Sequence, residues 1–317
     1  MDKAIGQRQR RVWLVAGASA VAAVELCGLS WIWVLIGGSI VCAYYLYIEK
    51  YLERDGLAEH FSRAFGFTGR VLSVFTLFWI VLVMGWCACL ADAAFPMVDG
   101  FPGLGWVLLA LAAWGCKKGK KACAGCAGVV CLFLTTLYGA VAVFSVADIR
   151  WAYLRPIGGP MQAVDAMTLF LLSSCVWYLP ARTGKGNGRT LLLLPVGAAV
   201  LSALCAGVLS PELAAELPVP LYDLAQSVSI FGTVERIEPL LSAAMTMGIF
   251  CLLSAQAEAC QALADQIGPW PWSGNVCCLG AAGAMYAVRA LPGRLLYWGN
   301  LVFFLFLPIL TIIVRKK

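Results

Sequence analysis

The sequence predicts an all-α, polytopic membrane protein, and three observations carry that prediction. Hydrophobic residues make up 62% of the 317-residue chain, and the mean hydropathy of +0.84 exceeds what a water-exposed surface tolerates. The apolar residues are gathered into stretches of roughly the length a bilayer requires. The basic residues between those stretches fall in alternate loops.

Taken in order, the pattern predicts ten spans in one integral membrane domain covering residues 1–317. Span one runs from about Val12 to Gly28, and span two follows at once, from Leu29 to Ile48. Span three is Val71 to Ala91. Span four, Leu104 to Trp114, is short for a straight crossing, with Pro102 marking a break before it. Span five is Ala122 to Val146. The second half repeats the layout: Ala163 to Leu179, Leu191 to Leu209, a span from Val234 or Pro239 to Ala264, Val276 to Val288 and Leu295 to Val314. Repeat one is therefore about 12–150 and repeat two about 160–317. Spans four and nine are short enough to be re-entrant instead.

The charges set the expected topology. With both termini in the cytoplasm, the inner segments carry 18 of the 23 Lys and Arg, including Lys3, Arg8, Arg10 and Arg11 at the start and Lys117, Lys118, Lys120 and Lys121 later. The outer side receives five, Arg150, Arg155, Arg236, Arg289 and Arg294. Removing one internal span would put later clusters on the wrong side. A formal charge of +6 spread over span ends points to anionic lipids and away from nucleic acid.

The segment Glu49 to Arg70 suits a short helix lying at the interface. Trp79, Trp86, Trp106, Trp114, Trp151, Trp177, Trp270, Trp272 and Trp298 mostly fall near span ends, where indole rings anchor at headgroups. The fourteen cysteines lie mainly inside apolar spans, as small hydrophobes. Cys123 and Cys126 form a CxxC, but with His60 as the only histidine, packing outweighs a metal, and no cofactor is expected. No nucleophile–base pair, carboxylate cleft or phosphate loop appears, so an enzyme is not expected.

Polar groups inside the spans are costly and mark the candidate site. Gly17 and Ser19 in span one permit either an unwound, ligand-holding turn or close helix packing. Ser173 and Ser174 hold the equivalent place in span six, with the same two readings. Glu258, in the inner half of span eight, is either a helix-locking carboxyl or a contact with solute. Glu25 and Asp165 sit near outer span ends, with structural or assembly roles expected. On the outer side before span eight, Tyr222, Leu224, Val228, Ile230 and Phe231 outline an interfacial helix, and Glu235 and Glu238 flank Arg236 as a local ion pair.

The stretch Pro220-Leu-Tyr-Asp-Leu-Ala-Gln-Ser-Val-Ser-Ile-Phe-Gly-Thr-Val-Glu-Arg-Ile-Glu-Pro-Leu resembles a distinctive segment of the B subunits of spore-germination receptors, with Glu235, Arg236, Ile237 and Glu238 as its core. The Lys117–Lys121 cluster stands where that family has its basic loop between spans four and five. The resemblance implies an amino acid–polyamine–organocation transporter fold: two inverted five-helix repeats (LeuT-like), with spans one and six broken around a central site. It implies A-type and C-type receptor subunits as partners, a small germinant such as an amino acid as ligand, and the spore inner membrane as location. The mechanism implied is a gated movement of the first and sixth helices. Two departures stand out: span one has no proline in Gly17-Ala-Ser-Ala-Val-Ala-Ala-Val-Glu25, and span six has no acidic residue in Leu172-Leu-Ser-Ser-Cys-Val-Trp177. An autonomous amino acid permease and a structural subunit of a receptor complex are the alternatives.

Overall fold

Lipid offers no hydrogen bonds to a bare backbone, so apolar stretches of this kind are stable only as helices that satisfy themselves. The computed structural model describes residues 4–52, 55–94, 103–155, 158–182, 188–227, 237–268 and 273–315. These form an all-α bundle in which five helices are long and apolar enough to cross a membrane: Trp31–Leu52, Phe67–Asp92, Lys120–Asp148, Glu238–Ile267 and Gly293–Val314.

The first half begins with a two-residue strand, β1 (Ile5–Gly6), and α1 (Gln7–Val24). The Gln9 side chain accepts the Gly6 N–H at 3.1 Å and so caps the helix start. A 3-10 turn, Leu26–Gly28, leads into α2 (Trp31–Leu52), then α3 (Leu57–Phe65) and α4 (Phe67–Ala94). Next come α5 (Leu104–Lys118) and α6 (Lys120–Ser145), parted by Gly119 alone. Gly119 takes φ +89, a left-handed conformation that glycine adopts without strain, and this lets the chain reverse inside the lysine cluster.

The second half opens with α7 (Met161–Leu171), which tightens into a 3-10 segment, Leu172–Tyr178, before β2 (Ala181–Arg182) pairs in parallel with β1. It continues through α8 (Leu193–Leu209), two short helices, α9 (Pro211–Glu216) and α10 (Pro220–Ser227), and the long α11 (Glu238–Ile267). The Ser210 hydroxyl caps α9 by accepting the Leu213 N–H at 3.3 Å. The chain ends with α12 (Ser273–Ala290), α13 (Gly293–Leu301), a π turn (Val302–Phe306) and α14 (Leu307–Arg315).

Two groups of helices organise the packing. Helices α4, α5, α11 and α12 each touch the other three. Beside them, α2 packs on α7 and α8, and α1 packs on α7, on the 3-10 segment, on α8 and on α11. Hydroxyls within the helices are returned to their own backbone: Ser73 to Gly69, Thr76 to Leu72, Thr135 to Cys131, Thr136 to Leu132 and Thr311 to Leu307.

Several expectations change. α1 is continuous across Gly17 and Ser19 and leaves the α-helix only at Glu25, so of the two readings of these residues the unwound turn is absent and close helix packing remains. The reason is packing: a Cβ at Gly17 would sit 3.2 Å from the Leu252 Cβ of α11, so this glycine serves close approach of two helices. Trp79 and Trp177 are not headgroup anchors. Trp79 stacks on Phe303 and donates to the Asn300 Oδ1 at 3.0 Å, and Trp177 is fully buried. Tyr222 and Leu224 of α10 are buried against protein, while Val228, Ile230, Phe231, Glu235, Arg236, Trp270 and Trp272 lie outside the described residues, as does Pro102. α3 forms where an interfacial helix was expected, with Phe61 edge-on to Tyr178. All fourteen cysteines are free thiols.

Candidate functional site

The 3-10 segment Leu172–Tyr178 is the one place where span six departs from α-helix, and every residue in it is buried. A 3-10 turn hydrogen-bonds i to i+3 and leaves carbonyls poorly used at its junction with an α-helix. Gln256 of α11, itself 0% exposed, reaches that junction: its Nε2 lies 3.4 Å from the Leu172 carbonyl and 3.4 Å from the Cys87 Sγ of α4. Its Oε1 has no hydrogen-bond partner among the described residues.

At the far end of the segment, Arg10 of α1 is 1% exposed, and its guanidinium lies 4.5 Å above the Trp177 ring. Nη1 donates to the Leu179 carbonyl at 3.5 Å, while Nε and Nη2 have no hydrogen-bond partner among the described residues. The indole face stabilises the cation, yet a buried guanidinium with two idle donors still calls for an acceptor. Trp177 Nε1 and Ser173 Oγ are also unpartnered among the described residues. The segment thus has idle donors of Arg10 and Trp177 toward one end, and an idle amide oxygen of Gln256 and the Ser173 hydroxyl toward the other. Donors at one end and acceptors at the other are complementary to a solute that carries both.

The expected site residues are not brought together as one cluster. Ser173 belongs to the segment. Ser174 is occupied, 3.1 Å from the Tyr45 hydroxyl, which also donates to the Phe170 carbonyl at 2.7 Å. Gly17 is a packing position, and the Ser19 carbonyl accepts from the Tyr138 hydroxyl at 3.2 Å on another side of α1. Glu258 is 3% exposed with Oε1 unpartnered, but it faces the junction of α5 and α6, within electrostatic reach of Cys116, Cys123 and Lys120. It lies two residues from Gln256 and so points to nearly the opposite face of α11.

Of the structural candidates, Glu25 marks the end of α1 and lies within electrostatic reach of Cys87 and Tyr297. Asp165 is half-buried in α7, near Arg294. Glu238 begins α11, buried, with Oε2 making no hydrogen bond among the described residues. Arg10, Trp177 and Gln256 were not singled out as site residues from the sequence. Gln256 carried a signal, being an amide deep in span eight, whereas Arg10 read as one of four topology-setting bases. No protein-family model matches the chain, and no curated protein matches its sequence.

Proposed function

We propose that this chain is a small-solute-binding membrane subunit of the spore-germination receptor B type, recognising a small polar germinant such as an amino acid at the break in span six. The observation that carries the reading is the buried 3-10 segment Leu172–Tyr178, flanked by the idle polar groups of Arg10, Ser173, Trp177 and Gln256. A carboxylate meets the Arg10 donors, and an ammonium meets Gln256 Oε1 and the Ser173 hydroxyl.

A ten-span arrangement of two inverted repeats is supported by reciprocal contacts. Adding five to each span number turns the contact of spans three and nine (α4 with α12) into that of eight and four (α11 with α5). It likewise turns two with six (α2, α7) into seven with one (α8, α1), and one with five (α1, α6) into six with ten (α7, α13). Each member of these pairs is present, whereas α1 with α11 (spans one and eight) has no comparable counterpart between span six and α4, so the two-fold relation is partial. The mechanism we favour is a rocking of α1 and the broken span six against the α4–α5–α11–α12 scaffold, with both termini cytoplasmic and with A-type and C-type subunits as partners.

The test is a thermal-shift and binding screen of the purified chain against the proteinogenic amino acids. Ser173→Ala and Gln256→Leu are expected to weaken the responding ligand by about tenfold, the loss of one buried polar contact, with Ser174→Ala close to wild type. Wild-type affinity in both Ser173→Ala and Gln256→Leu would sink the site. Concentrative uptake by the chain alone in proteoliposomes would favour an autonomous permease over a receptor subunit.

A further inference from the structure

A groove of about 860 Å³ runs between α1, α6 and α8, away from the 3-10 segment. Its walls are apolar over most of their length, with Val12, Val15 and Ala22 on α1 facing Ala142 on α6 and Leu194 and Leu201 on α8. Two of the three hydroxyls that line it are already used: Tyr138 donates to the Ser19 carbonyl at 3.2 Å, and Thr135 to the Cys131 carbonyl at 2.8 Å, with Ser19 supplying the third. A polar solute therefore finds little to bind there. One end differs, because Arg8 and Arg11 form the mouth. Arg11 is held by Glu49 at 2.8 Å, whereas Arg8 is exposed and makes no ion pair with any described residue.

We propose that this groove seats one acyl chain of an anionic phospholipid, with its phosphate at Arg8. The length agrees: Arg8 and Ala22 stand about 21 Å apart along α1 at 1.5 Å per residue. One leaflet of the hydrocarbon core is about 15 Å deep, so a lipid headgroup at Arg8 places its chain along the groove. The charge agrees too, since Arg8, which makes no ion pair among the described residues, stands where the headgroup falls. Two glycines leave the space open: a Cβ at Gly139 or Gly197, both lining the groove, meets no atom within 4 Å.

Those glycines supply the test. The purified chain in neutral detergent is titrated with phosphatidylglycerol or with phosphatidylcholine of identical acyl chains, and retained lipid is counted by native mass spectrometry. Phosphatidylglycerol is expected to bind about fivefold more tightly, the contribution of one cation near a membrane surface. Arg8→Gln is expected to bring the two lipids level while some lipid stays bound. Gly139→Phe and Gly197→Phe, whose rings project into open space, are expected to reduce retention of both lipids with an unchanged elution profile. Equal retention of the two lipids by the wild-type chain would overturn the proposal. So would an unchanged preference in Arg8→Gln, or undiminished retention in whichever glycine variant folds.

Discussion

The Tyr44 hydroxyl of α2 donates to the Phe304 carbonyl, which lacks its usual helical donor because Pro308 has no N–H. The neighbouring Phe303 carbonyl loses its donor as well, since the Leu307 N–H is drawn to Val302 in the π turn, and the Tyr178 hydroxyl takes it at 3.3 Å. Two tyrosines from two other elements thus repair one interruption in the last span. Inside a bilayer that repair is required, because no water reaches the freed carbonyls.

Tyr44→Phe is accordingly expected to destabilise the chain by about 1–3 kcal/mol, read as a lowered melting midpoint in detergent. Pro308→Ala restores the missing N–H, and in that background Tyr44→Phe should cost clearly less. Additive losses in the double variant would show that the proline and the tyrosine are not linked.

Close helix approach gives a second prediction. A Cβ at Gly248 of α11 would stand 2.5 Å from the Ala20 Cβ of α1 and 3.3 Å from the Ala16 carbonyl. Gly248→Val is expected to cost about 1–3 kcal/mol by overpacking, with partial recovery when combined with Ala20→Gly. Gly139→Ala, which meets nothing, should be near neutral by the same melting assay.

Asp92 ties three helices at one end of the scaffold. It lies in the last turn of α4, its Oδ1 accepts the Gly105 N–H of α5 at 3.0 Å, and its Oδ2 lies 3.4 Å from Arg289 of α12. Asp92→Ala should lose about 1.5–3 kcal/mol, the range for a hydrogen bond to a charged group. Asp92→Asn keeps an acceptor for Gly105 and should lose well under half of that, since the Arg289 pair is largely exposed. Equal losses in the two variants would assign the effect to the ion pair.

Glu59 on α3 gives a pH dependence. Burial, and then the charge of Asp55, raise its carboxyl above the ordinary 4.5, against the opposing effects of Arg63 and Lys120. A raised carboxyl favours the folded state while protonated, so the docking of α3 is firmest below 4.5 and weakens as pH rises through the shifted value. Intrinsic-rate-corrected hydrogen exchange across residues 57–65 should rise over that window, and Glu59→Gln should flatten the rise. A profile unchanged in Glu59→Gln would assign the titration to another group.

Much of the architecture was legible in the order of residues. The apolar stretches and the turn signals, such as Gly119 amid four lysines, place the helix ends within a few residues of where they fall. A break in span six was suggested by the family resemblance and by the equivalence of Ser173 and Ser174 to Gly17 and Ser19, and of the two readings open in span one it is the glycine contact that the structure has. Small residues at one helix position serve both purposes, and nothing local separates them: the outcome at Gly17 depends on Leu252, more than two hundred residues away.

The sequence by itself determined the solvent, the helical class and the alternation of basic loops, because hydropathy and charge act through each residue's own transfer from water. Tertiary structure alone decided which polar groups meet. Arg10, read in sequence as one more basic residue at a span end, is folded over Trp177 because β1 pairs with β2 and carries the start of α1 onto the end of span six. Gln256 and Glu258, two residues apart, are sent to different neighbours by the turn of one helix. The free energy of a buried polar group depends on what stands opposite it, and only the packed chain supplies that partner.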